Sequence, residues 1–176
     1  MIYNKGVYKM KNSKIILILP LFCLFFSSCQ DSSLEPENQF VQIYFKYDFR
    51  NALNTFENTY QKDLILDGTV KVPFWLTAEE QNKIFDKVNQ LNYFLLPDTL
   101  KYIPQDSITL SIEPNPGEQK LRIKYLSNDK TTIWTYPLND DNPQVKDLIE
   151  LQNFIITIIE SKPEYKRLPP RRGGYL

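Results

Sequence analysis

Val41-Gln42-Ile43-Tyr44-Phe45-Lys46-Tyr47-Asp48-Phe49-Arg50 alternates without a break. Val41, Ile43, Phe45, Tyr47 and Phe49 fall on one side, and Gln42, Tyr44, Lys46, Asp48 and Arg50 on the other. Successive side chains of a strand point to opposite sides of its sheet, so a period of two predicts a half-buried strand over the whole stretch. It also predicts a sheet with one covered and one polar face, because a strand buried on both faces has no reason to alternate.

Downstream, residues 58–76 are rich in Thr, Tyr, Val and Ile around Asp67-Gly68. Asp-Gly between extended runs favours a two-residue turn with positive φ at both positions, which predicts a hairpin. Pro73 has no N–H to donate, so the second arm should be an edge strand or end there. Thr77-Ala78-Glu79-Glu80 is a capping box, and Ile84, Phe85, Val88 and Leu91 continue it as a helical stripe ending near Leu91 or Asn92. Tyr93 to Pro97 is an apolar exit expected to pack beneath that helix. Three more strands are expected: Ser107 to Glu113, Lys120 to Leu126 and Thr131 to Tyr136. The turn residues Pro114 to Gly117 and the polar loop Ser127-Asn128-Asp129-Lys130 separate them.

Asn142 as cap and Pro143 at the first helical position open a last helix of about nineteen residues. Its second half is so apolar that it should lie deep across the sheet, with Gln152 facing outward. Strands and helices are segregated along the chain. That predicts an α+β domain over residues 40–161: a single antiparallel sheet of about five to six strands with two helices packed on one face.

Composition narrows the chemistry. The chain has 176 residues and no histidine, which removes Ser-His-Asp and Cys-His nucleophile systems and every imidazole acid or base. Lys+Arg and Asp+Glu both number 21, so no nucleic-acid partner is expected. Asn139-Asp140-Asp141-Asn142 offers oxygen ligands but lacks calcium-loop spacing, and capping of the following helix accounts for it. No metal and no cofactor are expected.

Two functional features remain. Tyr44 lies on the polar side of the first strand, and Trp75 and Trp134 are further candidates for rings set outside the core. Flat amphipathic rings on a sheet suit sugars and peptides. Alternatively, two of Glu57, Asp63, Glu79, Glu80, Asp98, Asp106 and Glu113 would have to face each other to hydrolyse a glycan without histidine.

The N-terminus carries an address. Lys11 and Lys14 precede an apolar run from Ile15 to Phe26, followed by Ser27, Ser28 and Cys29. This layout is that of a secretory signal peptide. Twelve apolar residues fall short of the roughly 20 that a spanning helix needs. Phe26-Ser27-Ser28-Cys29 resembles the lipobox of bacterial lipoproteins, with Phe26 where that family usually has Leu. Cys23 does not fit, because Leu21 and Phe22 before it are bulky. Met10 also opens a tighter signal, so translation from Met10 is an alternative to translation from Met1.

The resemblance implies export by the Sec route, removal of residues 1–28 and acylation of Cys29, for instance by palmitate. It places the protein in the bacterial cell envelope, lipid-anchored to a membrane. Residues 29–39 then form a polar tether. The layout of the body is similar to that of small lipoprotein domains to which no activity is attached. Removal of the signal takes away Lys5, Lys9, Lys11 and Lys14 and no acid, leaving a net charge of −4. It leaves no free thiol and no disulfide, so stability must come from the core.

Residues 162–176 are Pro- and Arg-rich, with Lys162, Lys166, Arg167, Arg171 and Arg172 against Glu164. They are expected to form an extended tail able to meet an acidic partner or phospholipid head groups. The reading is an envelope lipoprotein that is a non-catalytic module, binding protein, peptide or glycan through its open sheet face or tail. A small carboxylate-dependent hydrolase of envelope or extracellular glycans is the alternative. The anchor is directly testable: Cys29→Ala should abolish lipid labelling and leave the precursor uncleaved, and persistent palmitate labelling in that variant would exclude Cys29 as the acylated residue.

Overall fold

The alternation that starts at Val41 becomes strand β1 (Gln42–Tyr47), whose inner residues Ile43, Phe45 and Tyr47 are buried. The structure, a computed structural model, describes residues 40–101, 114–138 and 141–175. The strand does not run on to Arg50. Asp48 adopts the left-handed conformation (φ 52) and the chain turns into β2 (Asn51–Asn54), which pairs antiparallel with β1. Asp tolerates that conformation better than most residues, and its Oδ2 accepts a hydrogen bond from Asn51 Nδ2 at 3.0 Å. The sequence pattern therefore concealed a hairpin inside what looked like one strand.

β3 (Thr59–Ile65) and β4 (Gly68–Pro73) form the expected second hairpin. Its positive φ values fall on Ile65 (66) and Gly68 (75), not on Asp67 and Gly68. A register shift between Asp63 and Ile65 moves the turn back by one residue, so Leu66 and Asp67 form its tip. β4 is an edge strand and stops at Pro73, as its missing N–H requires.

Helix α1 (Ala78–Gln90) opens on the capping box: Glu80 N–H donates to Thr77 Oγ1 at 3.2 Å and Thr77 N–H donates to Glu80 Oε2 at 2.7 Å. Beyond it, Asn92 (φ 50) leads into a 3-10 turn, Tyr93–Leu95. Tyr93 is buried, and its hydroxyl donates to the Leu121 carbonyl at 2.5 Å, tying the turn to the sheet. β5 (Thr99–Leu100) follows. The strand expected at Ser107 to Glu113 lies outside the described residues.

β6 (Gln119–Tyr125) and β7 (Asn128–Trp134) are joined by Leu126 and Ser127 alone, with Leu126 at φ 52. The residues expected as a polar loop, Asn128 to Lys130, are thus already in the strand. Helices α2 (Pro143–Ser161), capped by the Asn142 side chain, and α3 (Pro163–Lys166) complete the described chain.

The α+β class holds, but the sheet is mixed. Its order is β4-β3-β2-β1-β6-β7-β5, antiparallel except for β5 alongside β7. Among the described residues there are seven strands and three helices, against the expected five to six and two. The additions, β2, β5 and α3, are each of four residues or fewer, too short to establish a period.

One core takes in the inner residues of the sheet (Ile43, Phe45, Leu53, Tyr60, Leu121 and Ile123) together with Ile84 and Val88 of α1 and Leu148, Leu151 and Ile155 of α2. Gln152 does not face outward: it is 5% exposed, and its Oε1 accepts from the Tyr136 hydroxyl at 3.2 Å. Asn153 is the exposed neighbour, because the buried stripe follows the helical period through Leu148, Leu151, Gln152 and Ile155. Lys162, at the C-terminal end of α2, reaches Glu80 at 3.0 and 2.8 Å, so one carboxylate both caps α1 and locks α2 to it.

An unpaired carboxylate at a fully buried helix position costs several kcal/mol, a large part of the about 5–15 kcal/mol that holds a typical domain. Ile155→Asp should therefore abolish cooperative thermal unfolding, while Asn153→Asp leaves the melting temperature within a few degrees. Similar midpoints for the two variants would contradict the burial of this helix face.

Candidate functional site

The parity of β1 fixes which side chains point away from the helices. Tyr44 pairs with Asn54 of β2 and Arg122 of β6, and Lys46 pairs with Ala52 and Lys120. Ala52 pairs in turn with Gln61, and Gln61 with Lys71. These residues are half-buried or exposed, and among the described residues no helix covers them. The open face is therefore a ladder of amides, cations and one tyrosine.

Two basins share this face. One, of about 430 Å³, is lined by Tyr44, Lys46, Phe49, Arg50, Asn54, Glu57, Gln61 and Lys71 among others. The other, of about 340 Å³, is lined by Tyr44, Asn54, Phe56, Glu57, Lys120 and Arg122. Tyr44, Asn54 and Glu57 belong to both, so the two form one trough with Tyr44 midway. Asn54 shapes its rim: its Oδ1 accepts from the N–H groups of Phe56 (3.1 Å) and Glu57 (3.3 Å). That places the Phe56 ring under the Arg122 guanidinium, 4.8 Å from the ring centroid.

Charges along the trough are unevenly answered. Arg122 grips Asp129 with two hydrogen bonds of 2.9 and 2.6 Å, which hold the Asp129 carboxyl below its usual range. Lys71 is paired with Glu57 at 3.1 Å. Lys120 lies 5.9 Å from the centre of the Tyr44 ring.

The C-terminal segment builds one end of this site. The expected free arm is absent from the described residues: 163–166 form α3, and 171–175 run along the tip of the second hairpin. Arg172 makes a parallel bridge to Ile65, with Arg172 N–H donating to the Leu64 carbonyl at 3.3 Å and Leu66 N–H to the Arg172 carbonyl at 3.4 Å. Its guanidinium is paired with Asp67, and Arg171 with Asp48 at 3.0 Å. Tyr175 stacks on Phe49 (centroids 3.7 Å apart) and donates its hydroxyl to Asp63. Arg50 Nε donates to the Tyr175 hydroxyl at 3.1 Å, and its Nη2 lies 3.0 Å from Asp63. Burial pushes the Asp63 carboxyl up, but Tyr175, the Ile65 N–H and Arg50 outweigh it and hold it below the usual range. Arg171 and Arg172 are thus spent on the fold's own acids.

The sequence-based candidates divide. Tyr44 is at the centre of the trough. Trp75 is exposed but follows the edge strand β4, away from the lining residues. Trp134 is 1% exposed on the inner face opposite Gln119, so it belongs to the core and not to a ligand site. Its strand pairs with β6 so that Thr132 lies opposite buried Leu121 and Trp134 opposite buried Gln119, which puts both inward and Ile133 outward. Cys29, Asp106 and Glu113 lie outside the described residues. Glu79 is paired with Lys83 at 2.6 Å, Glu80 with Lys162, and Asp98 with Lys130.

Sequence reading missed Lys46, Phe56, Lys120 and Arg122 as site residues. The signal was present in the polar positions of the two alternating strands, yet only the unseen β1–β6 pairing sets them side by side. The sequence matches no family model, and no curated protein or solved structure matches the chain.

The tail's docking is testable at Gly173. Its φ of +80 strains any L residue, and a Cβ there would stand 2.8 Å from Leu66 Cγ, whereas a Cβ at Gly174 meets nothing within 4 Å. Gly173→Ala should cost about 1 kcal/mol and speed tryptic cleavage near Arg171 and Arg172, and Gly174→Ala should do neither. Equal cleavage rates in the two variants would show that the segment is not held as described.

Proposed function

We propose that this protein is a bacterial envelope lipoprotein, anchored through acylated Cys29, whose domain is a non-catalytic module that binds glycan on its open sheet face. The supporting observation is Tyr44: a ring midway along a trough whose other walls are the rings Phe49 and Phe56 and the amides Asn54 and Gln61. Sugars present apolar C–H faces ringed by hydroxyls, and a site alternating aromatic faces with amide donors and acceptors complements both.

Hydrolysis of a glycan by paired carboxylates needs two of them flanking one bond. Among the described residues that line the trough, Glu57 is the carboxylate present, and it is ion-paired with Lys71. Binding is therefore the better reading of the trough. A tethered domain with an outward-facing trough also suits capture of extracellular material at a membrane surface.

A glycan array probed with the full chain tests the proposal. Tyr44→Ala should weaken binding of retained glycans about tenfold, the loss expected for one stacking ring, with Phe56→Ala similar. Trp75→Ala should bind like the parent protein. Retention unchanged in Tyr44→Ala would remove the trough as the binding site.

A further inference from the structure

Lys46 of β1 and Lys120 of β6 are direct partners across the ladder, on the same open face as Tyr44. Like charges set opposite each other in a sheet are destabilising. Nearby charges are compensated: Arg122 by Asp129, Lys71 by Glu57, Arg50 by Asp63. Lys46 and Lys120 meet no carboxylate among the described residues. Glu57, the acid on the trough wall, is already held by Lys71. The floor of the trough thus carries two opposed ammonium groups beside a ring, with no counter-charge among the described residues.

Each basin holds one lysine of this pair and both share the Tyr44 ring. At one end Phe49 accompanies Lys46, and at the other Phe56 accompanies Lys120 and Arg122. A ligand that fits must present a stackable face to Tyr44 and, beside it, an anionic group to the open Lys46–Lys120 pair. A peptide of acidic residues alone supplies the anions without the ring faces, and a neutral glycan supplies the faces without the anions.

Resting on the glycan-binding reading, we propose that the trough binds an oligosaccharide of uronic acid residues, with a sugar carboxylate lodged between Lys46 and Lys120. The ring of the same sugar lies on Tyr44. Binding converts a repulsive lysine pair into a bidentate anion clamp, so the pair's cost in the free protein becomes selectivity for acidic sugars.

Titration calorimetry of the detergent-solubilised full chain can test this with three probes: an oligogalacturonate, its neutral methyl ester, and poly-L-glutamate. The oligogalacturonate should bind, more weakly as sodium chloride rises, because the charged groups are open to solvent and screened. Each of Lys46→Gln and Lys120→Gln should weaken it about tenfold, as loss of one charge-assisted hydrogen bond predicts. Lys46→Gln should leave the melting temperature unchanged or raise it, since it removes a repulsion, and a clear fall would contradict the uncompensated pair.

Equal affinity for the methyl ester, abolished by Tyr44→Ala, would overturn the acidic assignment while sparing the glycan reading. Binding of poly-L-glutamate with no binding of either sugar would overturn both.

Discussion

β1 is hydrogen-bonded along both edges, to β2 on one side and β6 on the other, so its alternation is imposed on both neighbours. Phe45 can be buried only if Leu53 and Leu121, its ladder partners, are buried with it. A shift of one residue in either ladder would turn Tyr44 and Lys46 inward and expose Ile43 and Phe45. At roughly 1.5–3 kcal/mol for each large apolar side chain buried, such a slip is prohibitive. The register that protects the core is thus the one that assembles the trough. Tyr44, Lys46, Lys120 and Arg122 are neighbours because Ile43, Phe45, Leu121 and Ile123 had to be.

The core also contains polar fastenings. Tyr47 and Tyr60 share a buried hydrogen bond of 2.7 Å, and burial pushes both phenols up, so they stay neutral donors and acceptors. Glu80 is the more consequential. Burial raises its carboxyl, but Lys162 and the Thr77 N–H outweigh that and hold it below the ordinary range. A group whose folded pKa is depressed stabilises the fold above its unfolded value and loses that contribution as pH falls through the folded one. Acid therefore loosens the α1 cap and the α1–α2 contact together. Replacing Glu80 alone would strand Lys162, whose side chain is 8% exposed, and leaving one partner of a buried pair costs more than the pair is worth.

Long periodic elements were legible in the sequence. β1, the β3–β4 hairpin, α1 with its capping box and α2 with its Asn-Pro start each rest on several residues agreeing locally. Short elements were not: β2 reads Asn-Ala-Leu-Asn, and only its antiparallel seat against β1 makes it a strand. Burial parity failed at Trp134, which lies inside because its ladder partner Gln119 does, a pairing the local pattern does not carry. Gln152 failed differently, since a polar residue on an apolar stripe was read as outward although Tyr136 waits for it inside. The candidate site was half visible. Tyr44 showed as an aromatic ring on a polar strand face, but Lys120 and Arg122 beside it come from a strand some seventy-five residues on, and one chain's pattern carries no ladder register.

The tail completes the electrostatic argument for the open face. From composition it looked like a cationic arm with charge to spare, yet part of that charge is taken up, Arg171 by Asp48 and Arg172 by Asp67, while Tyr175 and Arg50 hold Asp63. The end of the sheet under the tail is therefore neutralised by ion pairs between distant parts of the sequence. The β1–β6 ladder has no such cover. Among the described residues its Lys46–Lys120 pair, beside Tyr44, has no carboxylate partner, in contrast to the matching of acid to base at the hairpin tip.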